Sequence, residues 1–386
     1  MRCFDRNRLL KCWFFLRVPP LQQQQQRQLL QAVGAASCRR ASFIRSICTA
    51  SATGRRQKSL SFPFKSRPLS IPLQRRLSGH IAREKMENVQ VSGQLLDGKI
   101  VAGEIQNEIA RKAALLKDAT GVVPCLAIVQ VGDKSDSNVY IRMKVKAAGD
   151  VGIAARHVKL PADITEDQLL DEVESLNRDS TVHGIIVQLP LECTQKIDAS
   201  KVTDTILPTK DVDGLHTINA GHVARGEFDK CTLPCTPNGC LELIKRSGHK
   251  VAGSRAVVIG RSKIVGGPMA EMLMWNNATV TICHSRTANL PQVVGEADIL
   301  VVAIGRANFV EPEWIKPGAV VIDCGINVVP DDKLKSGRRI VGDVDFAGAR
   351  KVASWITPVP GGVGPMTVAM LLRNTLDCAT KFAKFL

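Results

Sequence analysis

No stretch of this 386-residue chain approaches the roughly 18 to 20 consecutive apolar residues that a membrane-spanning helix needs; its apolar runs are short ones, such as residues 256–260 and 298–305. Membrane insertion is therefore not expected. Acidic residues are scarce at one end. Residues 1–80 hold sixteen Lys or Arg against the single acid Asp5, so +15 of the formal net charge of +16 lies there and +1 remains for residues 81–386. A nucleic-acid-binding surface should persist on the folded part, so the high overall charge does not point to such a partner. Zinc-site spacing is missing as well. Of the twelve cysteines, Cys3, Cys12, Cys38 and Cys48 lie in the basic segment and eight are scattered. The one cluster, Cys231, Cys235 and Cys240, has no histidine at ligand distance. Free thiols in a reducing compartment, and no metal, are expected.

What is there begins with a hydrophobic content of 45%, enough for about two globular domains. Residues 1–85 combine the basic excess with a glutamine run, Gln22 to Gln26, and many Ser and Arg. This is the composition of a mitochondrial or plastid transit peptide. The alternatives are a disordered extension retained on a cytoplasmic protein, or translation that begins at Met86.

From Leu96 onward the chain alternates helical and strand-like periods. Residues 97–118 and 137–152 carry apolar residues at helical spacing, and 125–132, 155–161 and 183–190 read as short strands. Thr165 and Gln168 form a capping-box pattern that opens a helix over 165–179. A second series follows the loop 231–239: a helix from Cys240, a strand at 255–260, a helix at 268–277, and strands after Ala278, Asp298 and Gly318. Alternation of this kind predicts an α/β protein of two domains, each a mostly parallel sheet with flanking helices, the second Rossmann-like. The final helix, 366–385, is expected to pack back on the first domain.

Several segments carry chemistry. Gly260, Arg261 and Ser262 open a glycine-bearing turn that leads through Gly266 and Gly267 to a helix start at Pro268, the setting in which backbone N–H groups receive a pyrophosphate. The turn lacks the middle glycine of G-x-G-x-x-G, so a plain structural turn is the competing reading. About twenty residues on, where an NAD enzyme presents an acid to the ribose, the chain has Ser285 and Arg286, which suit a 2′-phosphate; Arg261 is a second candidate. NADP is therefore favoured. Tyr140, the only tyrosine in the chain, and Lys144 stand four residues apart and share a helix face. Gln188, between Val187 and Leu189, ends a strand at the edge where parallel sheets bind ligands. Asp211 and Asp213 precede Gly214, and a stiff loop of prolines and glycines runs from Thr357 to Thr367. Taken singly, the Tyr140/Lys144 pair and the Asp-rich turn each have a plain structural reading, an amphipathic helix with a solvated lysine and an ordinary turn, whereas the 357–367 loop is long and specific.

Taken together, the Y-x-x-x-K helix, VQLPL, KDVDGL, PCTP, GRSKIVG-x-P, GDVDF and TPVPGGVGPMT resemble the methylenetetrahydrofolate dehydrogenase/cyclohydrolase family over residues 93–386. The resemblance implies folate in a cleft between a catalytic domain, 93–235 plus 352–386, and an NADP-binding domain, 236–351. It implies that Lys144 is the catalytic base, that Gln188 tunes it, that Tyr140 packs on the folate and that Asp213 anchors the pterin. It places Val187, Leu189, Pro358, Val359, Pro360, Gly361, Gly362, Val363, Gly364, Pro365 and Met366 along the folate, and Gly260, Arg261, Ser262, Ser285 and Ile326 on NADP. Such enzymes act as homodimers on tetrahydrofolate derivatives, with or without polyglutamate tails. Some relatives add a formate–tetrahydrofolate ligase domain, which is not expected in a chain that stops at Leu386; others prefer NAD with phosphate and magnesium, but the segments around 260–266 and 275–287 look more like the NADP-using type.

The roles are chemically sensible. Oxidation of the methylene bridge leaves a cation spread over two nitrogens and needs geometry more than a base. Hydrolysis of that cation needs a base, which an amine can be only if burial or cationic neighbours lower its pKa. A different NADP dehydrogenase, acting on a small hydroxy or amino acid, would leave the 357–367 loop unexplained. A non-catalytic relative is the remaining alternative.

Overall fold

Alternating strands and helices build two parallel sheets in the computed structural model, which describes residues 93–384 except Lys335, with the backbone alone for Ser135 and Asp136. The expected basic leader, 1–85, lies outside the described residues. The first series is β1 (Gln94–Leu95), α1 (Gly98–Thr120), β2 (Cys125–Val131), α2 (Ser135–Asp150), β3 (Ala154–Leu160), α3 (Glu166–Arg178), β4 (Gly184–Val187), α4 (Ala199–Thr205) and α5 (Thr217–Ala224). The second is α6 (Cys235–Arg246), β5 (Arg255–Ile259), α7 (Gly266–Trp275), β6 (Thr279–Cys283), α8 (Leu290–Val294), β7 (Ile299–Val302) and β8 (Val320–Asp323). It continues with β9 (Asn327–Pro330), β10 (Arg338–Val341), α9 (Phe346–Ala349), β11 (Trp355–Ile356) and α10 (Val363–Ala383).

Local signals account for most boundaries. The Asp97 carboxylate caps α1 by accepting from the Lys99 N–H at 2.8 Å, and Gly121, at φ +75°, ends it. Ala102, Ile105, Ile109 and Ala113 are buried along one stripe of that helix. The capping box of α3 forms as expected, with Thr165 and Gln168 each receiving the other's backbone N–H. β2 is buried almost throughout, as the centre of a parallel sheet requires. α6 starts at Cys235 rather than Cys240, because Pro234 and Pro237 fit a cap and a first turn in which backbone donors have no helical partner. For the same reason α10 begins at Val363, inside the Pro/Gly loop.

The smaller sheet has the order β3-β2-β4 and the larger β1-β11-β8-β7-β5-β6, every pairing parallel. β9 and β10 form a separate antiparallel hairpin. One hydrophobic core, with Ile105, Leu126, Leu243, Val258, Ile322 and Leu372 among its buried residues, draws on both sheets through α1, α6 and α10. Two further cores cover the outer faces, one on each sheet. α10 packs along α1 and α6, as the expectation for the last helix required. No helix among the described residues is long and apolar enough to cross a membrane.

The start of α1 rests directly on the Pro/Gly loop: a Cβ at Gly98 would collide with the backbone carbonyl of Gly362. Gly98→Ala is expected to destabilise the protein by about 2 kcal/mol despite the better helix propensity of alanine, because backbone must move on both sides. A urea melt that showed equal or greater stability would contradict this close packing.

Candidate active site

Lys144 lies in the third turn of α2, half-buried at the mouth yet enclosed by protein below. Its Nζ donates to Gln188 Oε1 at 2.9 Å. Gln188 follows β4; its Nε2 donates to Leu189 O at 2.9 Å and its backbone N–H to Val129 O at 2.8 Å. The amide is thereby oriented with its oxygen toward the amine. Burial pulls the Lys144 pKa below its usual value, and the Asp213 carboxylate opposes that shift. Burial likewise raises the Asp213 pKa, with Lys144 opposing. Both groups are thus driven toward their neutral forms. An amine in that state has a lone pair with which to take a proton.

Asp213 is placed by its neighbour Asp211, which is 1% exposed and accepts from Gly214 N at 3.0 Å, His216 N at 2.9 Å and Asn219 Nδ2 at 2.9 Å. Gly214, at φ +71°, turns the chain against Pro234 with no room for a Cβ. The Cys235 thiol donates to Val212 O at 3.2 Å, and Asn374 of α10 donates to Val212 O and Leu233 O, both at 2.9 Å. Burial pushes the Cys235 thiol well above its usual pKa, so it serves as a packed donor rather than a nucleophile.

A cavity of about 170 Å³ brings together Lys144, Val187, Gln188, Leu189 and Asp213, as expected. Cys235, Thr236, Ile264, Thr367 and Leu371 line it too, and the sequence reading assigned none of them to the site. Thr236 and Thr367 bond through their hydroxyls at 3.0 Å, joining the first turns of α6 and α10. Their only signal in the sequence was membership of PCTP and TPVPGGVGPMT. Tyr140 is one turn before Lys144 on α2, 38% exposed and outside this cavity's lining. Pro358 to Met366 do not line it either; they pass from the loop into α10, with Gly361 against the Lys99 side chain and Met366 buried. A second cavity of about 420 Å³ shares Leu215 with the first and lies between Asp204 and Thr217 on one side and Lys263, Pro268 and Glu271 on the other.

The remaining expected residues stand at the carboxyl edge of the larger sheet. Gly260 has φ +119°, and a Cβ on it would strike the Ala303 carbonyl; one on Gly266 would strike Gly260 itself. Ser262 Oγ accepts from Val265 N at 3.1 Å and Gly266 N at 3.3 Å at the start of α7. The turn is therefore open to a close ligand on its outer side, where Arg261 and Ser262 are exposed. Ser285 and Arg286 are exposed in the turn after β6, which the His284 ring holds by accepting from Arg286 N at 3.1 Å. Ile326 is 49% exposed after β8. The loop beside it hangs on Asp343, whose carboxylate accepts from the backbone N–H of Ile304, Gly305 and Arg306 at 2.7 to 3.0 Å and from Asn327 Nδ2 at 2.8 Å. At this edge two glycines clear a close approach to backbone, and the exposed Ser285 and Arg286 offer a hydroxyl and a guanidinium, with no acid, to an anion.

Because only the unprotonated amine reacts, the pH midpoint of acylation at Lys144 reports its pKa, which burial holds below 10.5. Amine-directed labelling read by peptide mapping should give Lys144 a rate midpoint below 10.5, and Asp213→Asn should lower it further, since the carboxylate favours the ammonium. A midpoint at or above 10.5 would contradict the burial argument.

Comparison with known proteins follows the same division. Residues 96–213 match the family described as tetrahydrofolate dehydrogenase/cyclohydrolase, catalytic domain, and residues 234–383 match its NAD(P)-binding domain. The cytoplasmic C-1-tetrahydrofolate synthase of Drosophila melanogaster is 58% identical over 296 residues, covering 76% of this chain but 30% of its own length. The chain thus spans about a third of the length of such relatives. The bifunctional protein FolD of Prosthecochloris aestuarii is 49% identical over 287 residues, covering 73% of this chain and 97% of that one. Among solved structures, the Trypanosoma brucei methylenetetrahydrofolate dehydrogenase-cyclohydrolase, complexed with NADP and an inhibitor, is 42% identical with a TM-score of 0.72, covering 75% of this chain and 98% of its own. The Campylobacter jejuni FolD enzyme is 43% identical with a TM-score of 0.70, covering 75% and 99%. With both domains matched in order and relatives aligned nearly end to end, the chain belongs to the tetrahydrofolate dehydrogenase/cyclohydrolase family.

Proposed function

We propose that this protein oxidises 5,10-methylenetetrahydrofolate to the 5,10-methenyl compound with NADP and hydrolyses that product to 10-formyltetrahydrofolate. The observation that carries the reading is the buried Lys144 amine, held by Gln188 and sharing one cavity with Asp213. NADP, when bound, supplies the oxidant for the first step. The chain's part in that step is orientation: Tyr140 packs on the folate, Asp213 accepts N–H donors of the pterin edge, and Val187, Leu189 and the Pro358–Met366 segment complete the walls. In the second step Lys144 takes a proton from the attacking water, with Gln188 fixing the direction of its lone pair. A cationic substrate further disfavours the ammonium form and keeps the base available.

We assign the folate to residues 93–235 with 352–386, and NADP to residues 236–351. Gly260 and Ser262 would face its pyrophosphate, Ser285 and Arg286, with Arg261 as a second candidate, its 2′-phosphate, and Ile326 would contact the cofactor as well. The reading extends to a homodimer, to polyglutamylated folates among the substrates and to a mitochondrial location, which the basic leader supports and against which cytoplasmic and plastid locations are weighed.

The test is spectrophotometric: NADP reduction with methylenetetrahydrofolate, followed by enzyme-accelerated loss of the methenyl absorbance. Lys144→Met should lower the hydrolytic rate by roughly a hundredfold or more while sparing most of the dehydrogenase rate. Equal loss of both rates in a folded variant would refute that division of labour. Ser285→Asp should raise the KM for NADP about tenfold or more, leaving NAD unaffected or improved, because it sets a carboxylate against the 2′-phosphate. An unchanged KM would remove Ser285 from the cofactor site.

A further inference from the structure

Helix α2 carries Tyr140 and Lys144, yet the Lys134 side chain at its N-terminus makes no capping hydrogen bond. Ser137 and Lys134 reach Glu192 at 3.4 and 3.7 Å and Ile141 is buried, and two shorter side-chain ties hold the helix at points nearly two turns apart. Lys144 is tied to Gln188, and Asn138, in the first turn, is tied to Gln130 of β2, whose Nε2 donates to Asn138 Oδ1 at 2.8 Å. Gln130 is 1% exposed in a strand otherwise made of apolar residues and Cys125, and it follows Val129, the residue whose carbonyl receives the Gln188 N–H.

The direction of every bond in this second anchor is fixed by its far end. Asn138 Nδ2 donates to Asp133 Oδ1 at 2.7 Å, and Asp133 also receives Lys159 Nζ at 2.8 Å. A carboxylate paired with an ammonium only accepts, so Asn138 must present its amide nitrogen to Asp133 and its oxygen to Gln130. Gln130 must then present its nitrogen to Asn138 and its oxygen to the His157 ring 2.8 Å away, and His157 must donate from Nε2. The result is a one-way chain, from His157 through Gln130 and Asn138 to Asp133, in which neither amide can flip without breaking two bonds. It links β3, β2 and the first turn of α2.

We infer that Gln130 and Asn138 are positioning residues for the folate: the chain sets the tilt of the first turn of α2, and with it the ring of Tyr140, while Gln188 independently sets Lys144. This rests on the proposed reading of Tyr140 and Lys144. Two separate anchors on one helix separate two kinetic parameters. Loosening the first turn weakens folate binding in ground state and transition state alike, and leaves proton transfer at Lys144 in place.

The experiment is steady-state kinetics of both reactions on the full chain. Gln130→Leu, which keeps volume and removes both bonds, should raise the KM for the folate about five- to tenfold in each reaction, with kcat within about twofold. Asn138→Leu should do the same, and the double variant should be no worse than either single one, because one chain is broken only once. Asn138→Asp combined with Asp133→Asn keeps an acceptor for Gln130 and a donor–acceptor pair between positions 133 and 138, and should return KM to within about twofold of the parent. The inference is overturned if the Leu variants lose thermal stability with KM unchanged, if kcat falls while KM stays, or if the two effects multiply. Should Gln130→Leu fail to fold, the contrast between Asn138→Leu and the paired Asn138→Asp, Asp133→Asn exchange, at exposed or partly exposed positions, decides the matter. Tyr140→Ala and Lys144→Met run alongside: silence of both would defeat the reading of the site, whereas loss in these with normal Asn138 variants would defeat only the positioning chain.

Discussion

Buried carboxylates that accept backbone N–H groups shape the loops of this site, and the rest of the site depends on them. Asp211 gathers Gly214 and His216; Asp343 gathers Ile304, Gly305 and Arg306; Asp323 gathers Gly325, Asp343 and Val344. Each is less than 4% exposed or wholly buried, and none makes an ion pair among the described residues. Taking a lone carboxylate out of water is expensive, and three charge-assisted bonds offset most of that cost only when the donors converge. Convergence forces the backbone into one tight path, so the expense of burial becomes rigidity of the loop. At Asp323 the offset is incomplete: burial, reinforced by the nearby Asp343 charge, raises its pKa to about 6 against the pull of its three donors.

These rigid loops allow Lys144 and Asp213 to be driven toward neutrality without collapsing onto one another. Each could lower its energy by moving toward the other or toward water. Asp213 cannot move, since Asp211 and the Gly214 turn fix its backbone on one side and Asn374 holds the Val212 carbonyl on the other. Lys144 is turned aside by Gln188, whose own amide is spent on Leu189. The satisfied backbone thus holds two groups that burial pushes toward their neutral forms.

Much of the frame was legible in the sequence, because strand and helix periods report local burial. The two parallel sheets, the α3 capping box, the shared face of Tyr140 and Lys144, and the strand-end position of Gln188 follow from spacing alone. What was not legible is non-local or too short to be periodic. β1 and β11 have two residues each, which carry no pattern, yet they extend the larger sheet. Thr236 and Thr367 are 131 residues apart and meet only because α6 and α10 start side by side. Asp343 stood in GDVDF as part of a resemblance, with no sign that its carboxylate would organise two loops. Cys235 was read with Cys231 and Cys240 as one cluster of free thiols, and apart from its place in PCTP nothing local marks it as a buried donor.

One short segment joins the two halves of the chemistry. Between Gly260 and Gly266 the backbone turns so tightly that neither glycine admits a Cβ, and within that turn Ser262 fixes the start of α7. Ile264 belongs to the same turn and lines the cavity of Lys144, while the adjacent Lys263 lines the larger cavity beside it. A segment of five residues between two sterically locked glycines cannot shift at one end alone. Whatever seats itself against Arg261 and Ser262 therefore bears on the wall of the Lys144 cavity through covalent geometry, without a relay of side chains. In this fold the Gly260–Gly266 turn and the wall of the Lys144 cavity are one piece of backbone.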